Sequence, residues 1–558
     1  MEEISKILTK ACIKAGIEKP VVKLEHPEDM NHGDFTTNIA MVNAKMLKLS
    51  PKVLAENIVK EVEKGDVIEK IEVAGPGFIN IKIVDSYFVN AIASLSKDKD
   101  NLTSFGKITR DNGRKVMVEY TDPNPFKVFH IGHLMANTIG ESISRIVEFS
   151  GAEVIRACYQ GDVGLHVAKT IWAISKDGNY KNDISYLGSM YVLGSEKYET
   201  DEVAKKEIVD INKKIFDKSD AVINEIYNKG RKLSLEYFDG IYEKLGTKFN
   251  NFFFESEVAD DGIRIVKEFL KKGIFEESEG ATIFPGEKYG EHTRVFINSQ
   301  GLPTYEAKEL GLTKRKFNLY PDLSESVVVT ANEQNAYFKV ILATLKEIYP
   351  DIALKMKHLS HGILRPSSGK MSSRKGNVVS ADELIGEFET LVNEKIKDRE
   401  FTNEDKVKIS NMVAVSGLKY TILRQAIGGD IIYDPTKALS FEGDSGPYLQ
   451  YATVRAQAVI SKAGDKEIKA LPEKTSDLER LLVRFPEVIS RAREDYAPNY
   501  IVTYLTELSS AFNSYYANNQ IIDDTDSISP YRIAVTKVFA QVMKNGLWVL
   551  GIQVPERM

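Results

Sequence analysis

The sequence predicts an α/β protein: a domain built on a parallel sheet, with a small α+β domain before it and a helical region after it. Three features predict this class. From about residue 113, short apolar runs alternate with helical patterns, as a parallel sheet with crossover helices requires. The run 326–330 is Val-rich, like a strand buried on both faces. From Asn403 onward, helical periodicity dominates to the last residue.

The elements follow in order. Ile4, Ile7, Leu8, Ala11 and Cys12 are spaced for one apolar helix face. Strands at 68–73 and 78–83 flank the turn Gly75-Pro76-Gly77, and polar residues 96–112 read as a linker. Residues 116–120 form the first strand of the next domain, 134–150 its first helix, and 154–157 a second strand closed by Gln160-Gly161-Asp162. A charged helical stretch at about 175–260 interrupts this scheme, and the sheet is expected to resume at 293–297 and 326–330.

A chain of 558 residues should form several domains. Its net charge of −6 gives no global pull toward nucleic acid, so RNA binding would fall to local basic patches at 308–316 and 370–375. Cys12 and Cys158 are far apart and lack a C-x-x-C partner, which suggests neither a disulfide framework nor a zinc site. With no signal-peptide pattern and no apolar run of transmembrane length, a cytoplasmic protein without membrane attachment is expected.

Two segments carry chemistry. After the strand at 116–120 and a Pro-Asn-Pro turn, His130 and His133 flank Gly132 where a helix should begin. A helix N-terminus offers free N–H groups and a positive dipole end to phosphate. Gly132 would let a nucleotide approach the backbone, and imidazoles can donate hydrogen bonds as charge builds on phosphate. Much later, Lys370, Arg374 and Lys375 lie on a Gly- and Ser-rich loop able to close over the same phosphates. Either segment alone is commonly a structural pair or a solvated loop. Together they read as a device for adenylyl transfer from ATP.

These residues resemble the class I aminoacyl-tRNA synthetases, and within them the arginyl-tRNA synthetases. His130-Ile131-Gly132-His133 matches the signature that names the class, and Lys370-Met371-Ser372-Ser373-Arg374 stands where the second falls. The arginyl branch is marked by Val118-Glu119-Tyr120, Pro123-Asn124, Gln160-Gly161-Asp162-Val163-Gly164 and Gly446-Pro447-Tyr448-Leu449-Gln450-Tyr451. Ala511-Phe512-Asn513-Ser514-Tyr515-Tyr516, Pro555-Glu556-Arg557-Met558 and His32-Gly33-Asp34-Phe35 extend the match over nearly the whole chain.

The resemblance implies an N-terminal α+β domain at 1–100 that touches the tRNA body and a Rossmann-like, doubly wound parallel-sheet catalytic domain at 113–375 with a connective insertion at about 175–290. A helical connection at 376–440 and an anticodon-binding helical domain at 441–558 would follow. It further implies arginine activation by ATP with Mg²⁺, transfer to the terminal ribose of tRNA(Arg), and no resident metal. A monomer is expected. His130, His133 and Lys370 are the implied catalytic residues. ATP would be held by these with Gly132, Met371, Ser372, Ser373 and Arg374. The commoner signature has lysine where Ser373 stands, which leaves open whether Arg374 or Lys375 supplies that cation.

A cationic substrate calls for carboxylates, and a planar guanidinium for a bidentate one. The implied arginine pocket is Asn124, Tyr305, Glu309 and Gln334, with His133 contributing. Asp122 sits where the family often has serine, and Glu309 where it more often has aspartate. Glu119 is a further candidate. Taken singly, Glu119 could be a surface charge, Tyr305 a core aromatic and Gln334 a helix cap. Glu306 and Lys308 are expected to be solvated or paired with each other, and His166 and His361 either line the site or are structural. The tyrosine-rich C-terminal region suits stacking on single-stranded RNA. By resemblance Tyr448, Tyr451, Arg455 and Met558 are its anticodon-side contacts, whereas Tyr500 and Tyr504 are expected to pack the bundle. The competing readings are a neighbouring class I synthetase, an RNA-binding relative without catalysis, and a small-molecule adenylyltransferase.

Overall fold

The computed structural model describes residues 2–27, 29–367, 379–464 and 466–558. The second signature, with Lys370, Met371, Ser372, Ser373, Arg374 and Lys375, lies outside the described residues. The chain divides into two compact units: one of 1–104, 456–485 and 511–542, the other of 105–455, 486–510 and 543–558.

In the first unit the opening helix, Glu2–Lys14, buries Ile4, Leu8, Ala11 and Cys12 as their spacing predicts. They pack on an antiparallel sheet of β1 (Phe35–Thr37), β2 (Ile68–Ala74) and β3 (Phe78–Ile83), in the order β1-β3-β2. The motif at 32–35 is structural here. Gly33 has φ 111° and lies so close to the Ile81 carbonyl that a Cβ would sit 2.7 Å from it. The Asp34 carboxylate accepts from the Ile83 N–H at 2.7 Å and from Arg480 at 2.6 Å. The expected linker at 96–112 contains a short helix, Lys99–Ser104. None of its residues is buried, so no apolar period could reveal it.

The second unit is built on five parallel strands: β4 (Lys115–Glu119), β5 (Glu153–Gln160), β6 (Asn251–Phe254), and, after a separate antiparallel sheet of β7 (Glu276–Ser278), β8 (Ala281–Phe284) and β9 (Arg294–Ile297), then β10 (Leu323–Ala331) and β11 (Met356–His361). The parallel order is β11-β10-β4-β5-β6. Val116, Met117 and Val118 of β4 and Val327, Val328 and Val329 of β10 are at most 1% exposed. Each such side chain contributes about 1.5–3 kcal/mol of burial, which makes these the natural central strands.

Two expectations are corrected. The run expected at 293–297 forms β9, Arg294–Ile297, in the antiparallel sheet, not a strand of the parallel one. An apolar run reports burial and carries no information about its pairing partner. The stretch at 175–260 is not helical throughout. Its helices Ile184–Thr200, Glu202–Asp217 and Ala221–Leu245 give way to β6, which pairs with β5 at the edge of the parallel sheet.

Helices Glu255–Leu270 and Tyr305–Leu319 cross at two glycines. A Cβ on Gly262 would collide with the Ala307 carbonyl, and one on Gly311 with that of Val258. This backbone-to-backbone approach sets the height of the Tyr305–Leu319 helix, which carries Tyr305, Glu306, Lys308, Glu309 and Lys316, described below. Gly311→Ala is therefore expected to destabilise the protein by about 1–3 kcal/mol, read as a lower melting temperature.

Candidate active site

The chain leaves β4 toward β5 and β6 on one side, then returns to place β10 and β11 on the other. The strand order reverses between β4 and β10, and the crevice outside their C-terminal ends is where open α/β sheets bind ligands. Glu119 ends β4, and the residues after it turn sharply: Thr121, Asp122 and Phe126 have φ of 82°, 46° and 68°. Such backbone costs on the order of 1 kcal/mol per residue and persists only where neighbours hold it. Here Asn137 donates to the Thr121 hydroxyl at 3.0 Å, the Tyr159 N–H to Asp122 at 2.7 Å, and the Phe126 N–H to Ser234 at 2.9 Å.

The turn delivers the chain to helix Ile131–Phe149, three residues earlier than its apolar pattern suggested. His130 is the cap. Its Nδ1 accepts from the Gly132 N–H at 3.1 Å, while its own N–H donates to His133 Nδ1 at 3.2 Å. The usual capping signals are Ser, Thr, Asp and Asn, so the earlier start was not legible from spacing. The rings stack with centroids 3.6 Å apart. Burial, then Lys127, holds His130 down at about 4, and burial, His130 and Lys127 hold His133 well below the ordinary histidine range. Both imidazoles are neutral near pH 7. Since each Nδ1 is an acceptor, each proton sits on Nε2, and each ring is left with one N–H donor. Gly132 has a local reason as well: a Cβ there would stand 2.9 Å from the His130 ring.

Val379, the first described residue after the second signature, accepts from the Ile131 N–H at 3.3 Å. Ala381 donates to the Phe129 carbonyl at 2.7 Å, and Ser380 caps helix Ala381–Ile396 with Glu383 in a capping box. The chain that follows the second signature is thus hydrogen-bonded to the first.

The acidic candidates converge. Glu119 is 1% exposed, so it is no surface charge, and it forms a 2.6 Å ion pair with Lys316, itself fully buried. Glu309 is buried too. Its Oε2 accepts from Tyr337 at 3.4 Å and its Oε1 has no hydrogen-bond partner among the described residues. Burial pushes Glu309 up to about 7, with Lys316 opposing and Glu119 adding. Burial and then Glu119 push Asp122 well above its ordinary range. Lys316 is raised because Glu119, Glu309 and Asp122 outweigh its own burial. Three carboxylates therefore surround one ammonium.

The remaining candidates fall around this cluster. Asn124 lies against Gly161, where a Cβ would collide with its side-chain oxygen and stand 3.3 Å from Glu255. Tyr305 is 57% exposed, not a core aromatic, with the Lys308 ammonium 4.7 Å from its ring centre. Gln334 is exposed at the N-cap position of helix Asn335–Ile348 and makes no capping hydrogen bond. Glu306 and Lys308 are neither solvated nor paired together: both are buried, Glu306 on Arg294 at 3.1 Å and Lys308 on Glu255 at 2.5 Å. Within the patch at 308–316, Lys308 and Lys316 are sealed in ion pairs, which leaves Lys314 and Arg315 as its half-exposed cations. His166 is buried and bonds the Gly161 carbonyl at 2.7 Å, and burial holds it at about 3, which makes it a brace for that loop. His361 is buried against the Gly362 carbonyl at 2.8 Å. Sequence reasoning missed Lys316 and Glu255. Lys316 is seven residues beyond Glu309 and could have been found on that helix face, whereas nothing marked Glu255.

Of the C-terminal candidates, Tyr448 is half-buried, and its N–H donates to Ser445 at 3.1 Å. Tyr451 is exposed, with Arg455 4.7 Å above its ring and donating to its hydroxyl at 3.1 Å. Met558 is half-buried beside Arg557, which pairs with Asp405 at 2.6 Å. Tyr504 is buried as expected. Tyr500 is only half-buried, under Arg491 and donating to Asp495 at 3.1 Å.

Comparison with known proteins agrees along the whole chain. A family model described as tRNA synthetases class I (R), catalytic domain, matches residues 97–434. The arginyl tRNA synthetase N terminal domain matches 2–83, and the DALR anticodon binding domain 449–558. The arginine–tRNA ligase of Fusobacterium nucleatum is 33% identical, the alignment covering 95% of this chain and 94% of that protein. That of Lactobacillus delbrueckii subsp. bulgaricus is 30% identical over 96% of each. Among solved structures, the Thermus thermophilus arginyl-tRNA synthetase superposes with a TM-score of 0.82 at 21% identity over all of both chains. The Plasmodium falciparum enzyme superposes at 0.80 and 20% identity, covering 100% of this chain and 99% of that one. A parallel sheet carrying a histidine-capped helix beside a buried acid cluster, matched along its length by relatives of one kind, places the chain in the class I arginyl-tRNA synthetase family.

Proposed function

We propose that the protein joins L-arginine to the 3′-terminal ribose of tRNA(Arg), using ATP, and that the site above performs both steps. In the first, the arginine carboxylate attacks the α-phosphorus and pyrophosphate leaves, giving arginyl-adenylate. In the second, the ribose 2′-hydroxyl attacks the arginyl carbonyl and AMP leaves. The first nucleophile is already an anion, so the site needs position and charge stabilisation, not a base. The His130 and His133 Nε2–H groups are assigned to the phosphates, Gly132 to the nucleotide, and Lys370, Met371, Ser372, Ser373 and Arg374 of the second signature to the triphosphate. ATP enters as its Mg²⁺ complex, held by phosphate oxygens and water. No zinc is assigned a role in either step.

One observation carries the substrate: the buried cluster of Glu119, Asp122 and Glu309 with only Lys316 for compensation. Such a cluster fits a ligand that is cationic at both ends. Asn124, Tyr305 and Gln334 are assigned to its rim, and His133 to the shared edge with ATP. Lys127 supports one continuous site, because its charge acts on His130, His133 and Glu255 alike. Tyr448, Tyr451, Arg455 and Met558 are assigned to the anticodon side, and the first domain to the tRNA body. No helix of the described residues is long and apolar enough to cross a membrane, and the enzyme is read as a cytoplasmic monomer.

The test is ATP–pyrophosphate exchange with each amino acid, with and without unfractionated tRNA. Exchange dependent on arginine alone is expected; exchange with another amino acid, or none with arginine plus tRNA, would refute the reading. The pH profile gives a second check. Glu309 titrates at about 7 in the empty pocket, faced by Lys316, Glu119, Asp122, Glu255, Tyr159 and Tyr337. A raised carboxyl is protonated below that value, and only the ionised form presents two charged acceptor oxygens to a guanidinium. Arginine KM should therefore fall as pH rises toward 7, by up to about tenfold per pH unit, and level off above it. ATP KM should not follow.

A further inference from the structure

We propose that Lys316 is a positioning residue of the arginine pocket: its sealed ammonium aims the Glu119 carboxylate and sets the pocket's charge for a doubly cationic ligand. The inference deepens the proposed function and rests on arginine being the substrate. Lys316 is 0% exposed, and its Nζ lies 2.6 Å from Glu119 Oε2. Apart from each other, neither atom has a hydrogen-bond partner among the described residues. Tyr305, Glu309 and Lys316 lie at i, i+4 and i+11 on helix Tyr305–Leu319, a spacing that keeps them on one face. Val328 of β10 pairs with Glu119 of β4, so the carboxylate emerges at the strand-order reversal.

A purely structural role does not explain the pair. Buried ion pairs contribute little net stability, and an apolar residue of similar volume would pack as well or better. Nor does Lys316 serve the neighbouring carboxylate Glu255, which has its own ammonium in Lys308 at 2.5 Å. What Lys316 does is balance charge. Burial and mutual repulsion favour protons on Asp122 and Glu309, and a cationic ligand would displace them; Glu119, Asp122 and Glu309 then carry three negative charges, and one ammonium leaves two. Arginine brings two positive charges, the guanidinium and the α-ammonium. Without Lys316 the pocket would hold one uncompensated carboxylate, and Glu119 would lose the partner that fixes its rotamer.

The experiment is steady-state exchange with wild type, Lys316→Met, Lys316→Arg, Glu119→Gln and the double variant Lys316→Met/Glu119→Gln, each checked by melting temperature. Wild type must first show arginine-dependent exchange; if it shows none, the proposed function fails and this inference with it. Given that activity, Lys316→Met should raise arginine KM on the order of tenfold to a hundredfold, with ATP KM changed less than about twofold. Lys316→Arg should recover most of the loss. The double variant removes both members of the 2.6 Å pair together, which tests the pair even if the single variant does not fold, and it should be no worse for arginine than Glu119→Gln alone. Equal effects on arginine and ATP, an unchanged arginine KM in Lys316→Met, or a failure of arginine to rescue at 316 would each overturn the assignment while leaving the function intact.

Discussion

Glu309→Ala should lose arginine activation by roughly 10²–10³-fold in kcat/KM while ATP KM stays nearly constant. The side chain is buried, its Oε1 has no partner among the described residues, and its pKa is pushed up to about 7. An empty acceptor of that kind is costly unless a ligand donates to it. A guanidinium does so through two parallel N–H groups, and lysine, a point cation, leaves one acceptor unmet. The variant should therefore also narrow the gap between arginine and lysine, since the wild-type preference depends on that unmet bond. Glu309→Asp tests geometry separately: it keeps the charge, withdraws it by a methylene, and should cost less. Arginine dependence unchanged in Glu309→Ala would remove the pocket assignment.

The histidine pair supports the second large effect. His130 has two duties in the structure, capping a helix through Nδ1 and leaving Nε2–H free to donate. Substitutions can separate them. Asparagine is a good N-cap residue, so His130→Asn should keep the melting temperature close to wild type. It removes the imidazole donor, and kcat for arginine-dependent exchange should fall by on the order of 10²–10³-fold. His130→Ala loses both and should add about 1 kcal/mol of destabilisation. A His130→Asn enzyme of normal kcat would show that capping is the residue's whole role. Because both imidazoles are neutral across the physiological range, neither should give kcat a pH dependence near 7.

How much of this was legible beforehand depends on the kind of signal. The first helix, the antiparallel pair at 68–83 and the central strands were readable because apolar spacing is a local property that survives folding. The antiparallel β9 and the edge strand β6 were not, because a short run does not say which strand it will pair with. In the site, the residues following β4 were found by type and order. Glu306 and Lys308 were misread as a solvated pair because adjacent opposite charges suggest each other, whereas on a helix they face different partners. Motifs at 32–35 and at Gln160-Gly161-Asp162 were recognised without their reasons. The first ties a turn to Ile81 and Ile83, and in the second Asp162 accepts from Arg231 at 2.9 Å and from the Ser256 N–H at 2.9 Å.

From the residues alone came the fold class, the chemistry of phosphate and the demand for carboxylates around a cation, because these depend on side-chain type and short-range order. The tertiary structure decided which carboxylates meet, that Lys316 sits among them, and that the two imidazoles carry their protons on Nε2. Such facts arise from burial and from contacts between Glu119 and a helix nearly two hundred residues away. A charge sealed from water is governed by its neighbours in space, and those neighbours are set only when the chain has folded.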